Sequence, residues 1–270
     1  GPTSRGNYAL PIKMQILNDH GLKGVFFIEP LFSTRFGVQP LEEIVGLVRD
    51  AGHEIQLHLH TEWVDEAKVP LLPGIAKKRQ NIREFTRTEQ AILIAEGRRL
   101  LEAAGVEQVR AFRAGSYGLN NDTILALGDT NIRYDTSYNA APDCGVAAVA
   151  PGRMLVQPEK LGNVTEYPVS VYRDRGKNSL RHLQLTACSF EEMRHLLDSA
   201  EANEWDSVVI VSHNFELLNQ RRNGHDPIMV RRFRQLCRYL SDHTDRFDVS
   251  GFNGLEAAET TNQPPPLNSS

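Results

Sequence analysis

Apolar and polar positions along the chain switch between a helical period of about 3.6 and a strand period of 2, and the switches outline an α/β order. Leu10, Ile12, Met14, Ile16 and Leu17 follow a roughly helical spacing over residues 8–20, with Gly21 as a stop. Gly24-Val25-Phe26-Phe27-Ile28-Glu29 is a short apolar run closed by Pro30, the pattern of a buried strand. Pro40 opens a helix with Leu41, Ile44, Val45 and Val48 on one face, and Ala51-Gly52 ends it. Residues 53–60, His53 to His60, alternate with period two and predict a half-buried strand.

Residues 64–85 are irregular and broken by Pro70 and Pro73. Thr86 and Glu89 have capping-box spacing and open a helix through Ile92, Ile94, Leu100 and Leu101 to Gly105. A strand over Val109–Arg113, a helix over Asn121–Leu127 and a strand over Ile132–Thr136 follow. Residues 140–188 hold short β-like pieces, among them Arg153–Val156 and Val164–Val171. Ser189 and Glu192 form a second capping box, for a helix to about Ala202. Val208–Val211 reads as a strongly buried strand. Asp226 with Pro227 behind it starts a helix to about Asp242, Arg246–Ser250 reads as a last strand, and 260–270 as a disordered tail.

This alternation predicts an α/β fold with a parallel sheet, either a barrel or a doubly wound sheet, as one domain over 1–259. An α/β repeat normally begins with a strand, whereas this pattern begins with a helix. The first strand is therefore expected upstream of residue 1 or unreadable within the first seven residues.

Composition narrows the class. Hydrophobic residues at 40% and charged residues at 24% describe a globular chain. The net charge of −4 argues against a general nucleic-acid binder. Cys144, Cys188 and Cys237 form no CxxC pair, so neither a disulfide framework nor a zinc ribbon is expected. No apolar run reaches the ~20 residues of a membrane span. No signal peptide is readable at Gly1–Gly6, and the unpaired cysteines lean toward a reducing compartment, so a cytoplasmic location is expected.

Parallel α/β folds place their sites at the carboxyl ends of strands. There the sequence puts Glu29, then His58 and His60 followed by Glu62 and Trp63, then Arg113 to Gly118, Asp135, and finally Ser212-His213-Asn214. His58 and His60, at i and i+2 on a strand, share one face and can chelate a divalent metal. Arg113 is suited to orient a carboxylate or stabilise an oxyanion. His213 follows a rigid Val/Ile run and suits general acid chemistry, with Asp135 as a candidate to orient it. Trp63 and Tyr117 are candidates to stack on a sugar ring, and Glu216 and Asn214 are weaker candidates.

Together these motifs resemble the polysaccharide deacetylase family (the NodB-homology domain). The resemblance rests on Gly24–Ile28, on Ala51-Gly52-His53-Glu54-Ile55 leading into His58, on Phe112-Arg113-Ala114-Gly115-Ser116-Tyr117-Gly118, and on Val209-Ile210-Val211-Ser212-His213, in family order over residues 8–255. It implies a distorted (β/α) barrel of seven to eight units and metal-dependent hydrolysis of an N-acetyl group on an amino sugar or polysaccharide. It also implies a zinc ion on His58 with His60 or Glu62, the two histidines being preferred because imidazole is the better zinc ligand. His213 would be the acid, tuned by Asp135 or Glu166, with Arg113 holding the general base and Tyr117, Ser116 and Trp63 meeting the substrate. Two departures stand out. Position 62, where the family usually has its second histidine, is Glu62, and the family's first acid pair does not precede residues 8–20. A non-catalytic carbohydrate-binding relative and a metal-independent hydrolase of a small amide remain alternatives.

Overall fold

The computed structural model describes residues 2–3, 6–7, 9–74, 78–141, 149–174, 179–221, 223–256 and 263–269. Its strands are β1 (Pro2–Thr3), β2 (Gly6–Asn7), β3 (Val25–Ile28), β4 (Glu54–Leu59), β5 (Ala111–Ala114), β6 (Tyr134–Asp135), β7 (Glu159–Leu161), β8 (Val164–Glu166), β9 (Val171–Asp174), β10 (Ser179–His182) and β11 (Leu267–Asn268). Its helices are α1 (Leu10–Asp19), α2 (Ser33–Phe36), α3 (Gln39–Asp50), α4 (Arg87–Ala103), α5 (Asn121–Asp129), α6 (Phe190–Ala202) and α7 (Pro227–Asp242). Several helices start where side chains satisfy the orphan N–H groups of the first turn. Thr86 and Glu89 cap α4 reciprocally, Ser189 and Glu192 cap α6, and Asp226 accepts from Ile228 and Met229 at the start of α7.

The main sheet has the order β3-β4-β5-β6-β8-β7, parallel from β3 through β8 with β7 antiparallel at the edge. A smaller sheet has the order β10-β9-β11. One face of the main sheet carries Leu57, Leu59 and Phe112 into a core shared with Val45, Val48, Leu93 and Leu127. Gly97 lets α4 close on that face, since a Cβ there would lie 2.8 Å from Leu59 Cδ2 and 3.0 Å from Leu57 Cδ1. The other face carries Ala111, Tyr134 and Tyr167, packed with Phe27, Val209 and Phe252. Helices α1, α6 and α7 bury Ile16, Leu197 and Phe233 in a second core.

The parallel α/β sheet matches the sequence reading, but the sheet does not close into a barrel among the described residues. Val208–Val211 was expected as a full strand and, among the described residues, makes one bridge, Gln184 to Val211. Its ladder is one-sided: Ser170 N–H donates to Val209 O (3.2 Å), Val211 N–H to Leu183 O (2.9 Å) and Leu185 N–H to Val211 O (3.0 Å). Arg246–Ser250 is likewise not a strand. Arg246 is turned toward Asp198 and Glu201, the N–H groups of Arg246 and Phe247 turn back to the carbonyl of His243 (both 3.0 Å), and Phe247 and Val249 pack into the second core. Among the described residues β3 pairs only with β4. Its outer edge and residues 208–212 line one cavity of about 1340 Å³, where the half-buried Val25, Phe26, Phe27, Val208, Val209 and Ile210 meet open space.

Three smaller expectations change. Arg153–Val156 forms no strand, and Val164–Val171 divides into β8 and the start of β9. The tail expected over 260–270 is ordered over 263–269: β11 pairs with β9, and Gln263 Oε1 accepts from the backbone N–H groups of Val156 (2.8 Å) and Gln157 (3.0 Å). A polar, proline-rich segment cannot build its own core, but here it borrows backbone partners from a neighbouring edge. Residues 260–262, Tyr8 and Cys144 lie outside the described residues, and Cys188 and Cys237 are buried free thiols. No helix among the described residues is long and apolar enough to cross a membrane.

Candidate active site

The parallel register sets the site. Ile28 pairs with Leu57 and His58 pairs with Arg113, so the carboxyl ends of β3, β4 and β5 present Glu29, His58 and Arg113 side by side. His58, His60, Trp63, Arg113, Tyr117 and His213 all line the large cavity.

His58 Nδ1–H donates to the carbonyl of Arg113 at 2.7 Å, which fixes the tautomer and leaves Nε2 with its lone pair outward. Burial, helped by neighbouring His60, pulls the His58 imidazole down to about 3, so the ring is neutral at ordinary pH. The His60 ring stands 4.7 Å from it at 90°. His60 Nδ1 lies 3.2 Å from Glu62 Oε1, and the other oxygen of Glu62 is buried without a hydrogen-bond partner. Glu29 accepts from the N–H groups of Leu31 (2.8 Å) and Phe32 (3.1 Å), while burial raises its carboxyl to about 8.

Arg113 donates through Nε to Thr136 O (3.1 Å) and through Nη2 to Thr136 Oγ1 (3.0 Å), and its guanidinium lies 4.5 Å above the Phe27 ring. The next residues fold into a tight 3₁₀ turn with Ser116 at φ 53° and Tyr117 at φ 55°. Two consecutive non-glycine residues in the left-handed region are strained, a feature that concentrates at functional sites. Gly115 precedes them under the histidines: a Cβ there would lie 2.7 Å from Leu59 O and 3.0 Å from His60 Nδ1. Gly115→Ala is therefore expected to push the His60 ring aside and cost about 1–3 kcal/mol. Urea unfolding checks the stability, and a Tm equal to the parent's would contradict the close approach.

His213 closes the cavity from the opposite wall. Its ring stacks on Phe215 at 5.0 Å and 18°, and Nδ1 lies 3.0 Å from Glu216 Oε1. Asp135 is elsewhere. Its register partner is Phe112, so it shares the helix-covered side of the sheet. There Asp135 Oδ1 accepts from Ser137 Oγ at 2.5 Å and Glu166 Oε1 accepts from Tyr138 N–H at 3.0 Å, while the remaining oxygen of each carboxyl has no partner outside the pair. The carboxylate beside His213 is thus Glu216, with Asp135 and Glu166 beneath Arg113. Trp63 is half-buried in the turn after β4, edge-on to Phe36 at 5.8 Å, and Tyr117 faces His182 with ring centres 6.5 Å apart.

For a divalent cation, His58 and His60 fit as two imidazole donors, the first neutral and oriented by a backbone carbonyl. Among the described residues no third His, Cys, Asp or Glu joins them to make a three-donor group.

No protein-family model and no curated protein matches the sequence. Among solved structures the chain is similar to a Mycobacterium smegmatis protein inferred to be a polysaccharide deacetylase, at 19% identity and TM-score 0.61, over 96% of this chain and 81% of that one. It is also similar to the 4-alpha-glucanotransferase of Thermococcus litoralis, at 10% identity and TM-score 0.50, over 88% of this chain and 34% of that one. A CE4 family pseudoenzyme from Bacillus anthracis aligns at 13% identity and TM-score 0.46, over 89% and 60% of the two chains. The first likeness shows a fold of the polysaccharide deacetylase type.

Proposed function

We propose that this chain is a hydrolase that removes the N-acetyl group from an amino sugar or polysaccharide with the help of a divalent cation. The observation that carries this reading is the convergence of His58, His60, Arg113 and His213 on one cavity at the carboxyl ends of parallel strands. His58 and His60 would hold the cation, zinc by the preference of imidazole, with Glu62 as the competing donor. Such a cation, when bound, polarises an amide carbonyl and acidifies its water.

The protein's own groups do the rest. Arg113 is held by Thr136 and Phe27 with guanidinium to spare, so it would fix a carboxylate that acts as general base. Trp63, Ser116 and Tyr117 line the same cavity and would meet the sugar ring. The His213 imidazolium, its Nδ1–H tied to Glu216, would deliver the proton on Nε2 to the leaving amine and be left as the neutral Nδ1–H ring.

The test is deacetylation of N-acetylated sugars by this chain with and without a chelator, with metal content measured. The expected result is activity that falls at least tenfold on chelation. Chelator-insensitive turnover would remove the cation from the reading. Bound metal with no hydrolysis of any acetylated sugar would favour a non-catalytic carbohydrate-binding relative.

A further inference from the structure

Lysine is rare in a protein interior unless paired, yet Lys13 is 6% exposed, buried between α1 and α7. Its partner is a hydroxyl. Nζ donates to Ser212 Oγ at 2.7 Å, and Ser212 Oγ–H donates to Glu216 Oε2 at 3.2 Å. The second oxygen of Glu216, Oε1, takes His213 Nδ1 at 3.0 Å, with Gln184 Nε2 and Thr186 Oγ1 (3.3 Å) alongside. A continuous chain therefore runs from a buried ammonium through a hydroxyl and a buried carboxylate to the imidazole at the cavity wall.

The charges explain why the chain needs its far end. Glu216 is 7% exposed, and a carboxylate in that position is costly unless a cation compensates it. His213 does so only while protonated; Lys13 does so in either state of the ring. The other groups around Lys13 cannot take its place as the partner of Glu216. The Phe233 ring lies 5.8 Å away, and burial pushes the Cys237 thiol up to about 12, so it is neutral. Burial lowers the Lys13 ammonium to about 8, with Glu216 opposing the shift. Burial also acts against the Glu216 carboxylate, but hydrogen bonds from His213 and Gln184 outweigh it and hold the carboxyl below its ordinary range.

We propose that Lys13, through Ser212 and Glu216, is a positioning residue that fixes the Nδ1–H tautomer of the neutral His213 ring, so that Nε2 is the nitrogen that takes up a proton and then gives it to the leaving group in the cavity. An ionised Glu216 demands a proton on Nδ1; a neutral or misplaced one does not, and the ring is then free to adopt the Nε2–H form or to turn. The role of this tautomer in turnover rests on the reading of His213 as proton donor, whereas the tautomer itself can be observed without any substrate.

Ser212→Ala breaks the chain and keeps both charges; Lys13→Met removes the cation at similar volume; Ser212→Thr restores the hydroxyl, with its extra methyl beside open cavity. Long-range ¹H–¹⁵N spectra of the His213 ring report which nitrogen carries the proton. Ser212→Ala and Lys13→Met are expected to shift the ring toward Nε2–H, while Ser212→Thr keeps the parent spectrum. With an active substrate in hand, the first two would lower kcat about 10–100-fold with KM nearly unchanged. If Lys13→Met fails to fold, Ser212→Ala decides the matter. A folded Ser212→Ala variant with parent His213 shifts overturns the relay. A chain with no deacetylase activity but the expected shifts leaves the relay standing and removes the enzymatic reading instead.

Discussion

Alanine at position 213 is expected to lower turnover of an N-acetylated sugar by about 10²–10⁴, the range a general acid contributes, with KM changed little. The expectation follows from where the imidazole sits. Its side chain is 48% exposed and packs on Phe215, so removing it leaves little cavity, and buried Glu216 keeps Gln184, Thr186 and Ser212 as donors. Loss of rate would then report chemistry and not unfolding, and unchanged circular dichroism and Tm check this directly. An amine leaving group needs a proton as its C–N bond breaks. The His213 ring lines the cavity and is tethered through Nδ1, so as an imidazolium it carries a second N–H, at Nε2, that can supply this proton. Full activity of His213→Ala would sink the assignment.

The second large effect concerns stability. Asp135 and Glu166 lie side by side at zero exposure. Burial raises both carboxyls, and the charge of Asp135 raises Glu166 further, against the pull of Arg113. The folded chain therefore keeps a proton that the unfolded chain releases. Because the folded values are raised, this stabilisation is complete below the ordinary carboxylate range and is lost as pH rises through the raised folded values. Urea midpoints should fall as pH climbs above the ordinary carboxylate range. Glu166→Gln keeps an acceptor for Tyr138 N–H and removes the titration. It should flatten that slope and be more stable than the parent at alkaline pH by about 1–3 kcal/mol. Parallel profiles for parent and variant would contradict a shared proton.

Much of the site was legible because strand ends are legible. The period-two run 53–60 put His58 and His60 on one face, and the Val/Ile run 208–211 delivered His213. Asp135 was harder. Its face depends on register with Phe112 across a two-residue strand, which periodicity over so short a run does not reveal. Glu216 stood one turn beyond His213 and gained its role only when the 3₁₀ turn after 213 brought it back to Nδ1. Lys13 left one trace: it sits three residues after Leu10 and four before Leu17, on the buried side of α1. The apolar run 208–211 and the alternating run 246–250 read as strands by local pattern, yet a strand is a pairing, and pairing partners are invisible in a local pattern.

The outer edge of β3 also governs how the chain behaves when concentrated. Val25-Phe26-Phe27-Ile28 is four uncharged, β-prone residues with no strand beside them on one side among the described residues, a ready template for another copy. Lys23 before it and Glu29 after it stand as gatekeepers, and Glu29 is a weak one because burial keeps its carboxyl neutral up to about 8. Colloidal behaviour thus depends on what occupies that edge. Filled, it is core; empty, it is the surface through which molecules would first adhere.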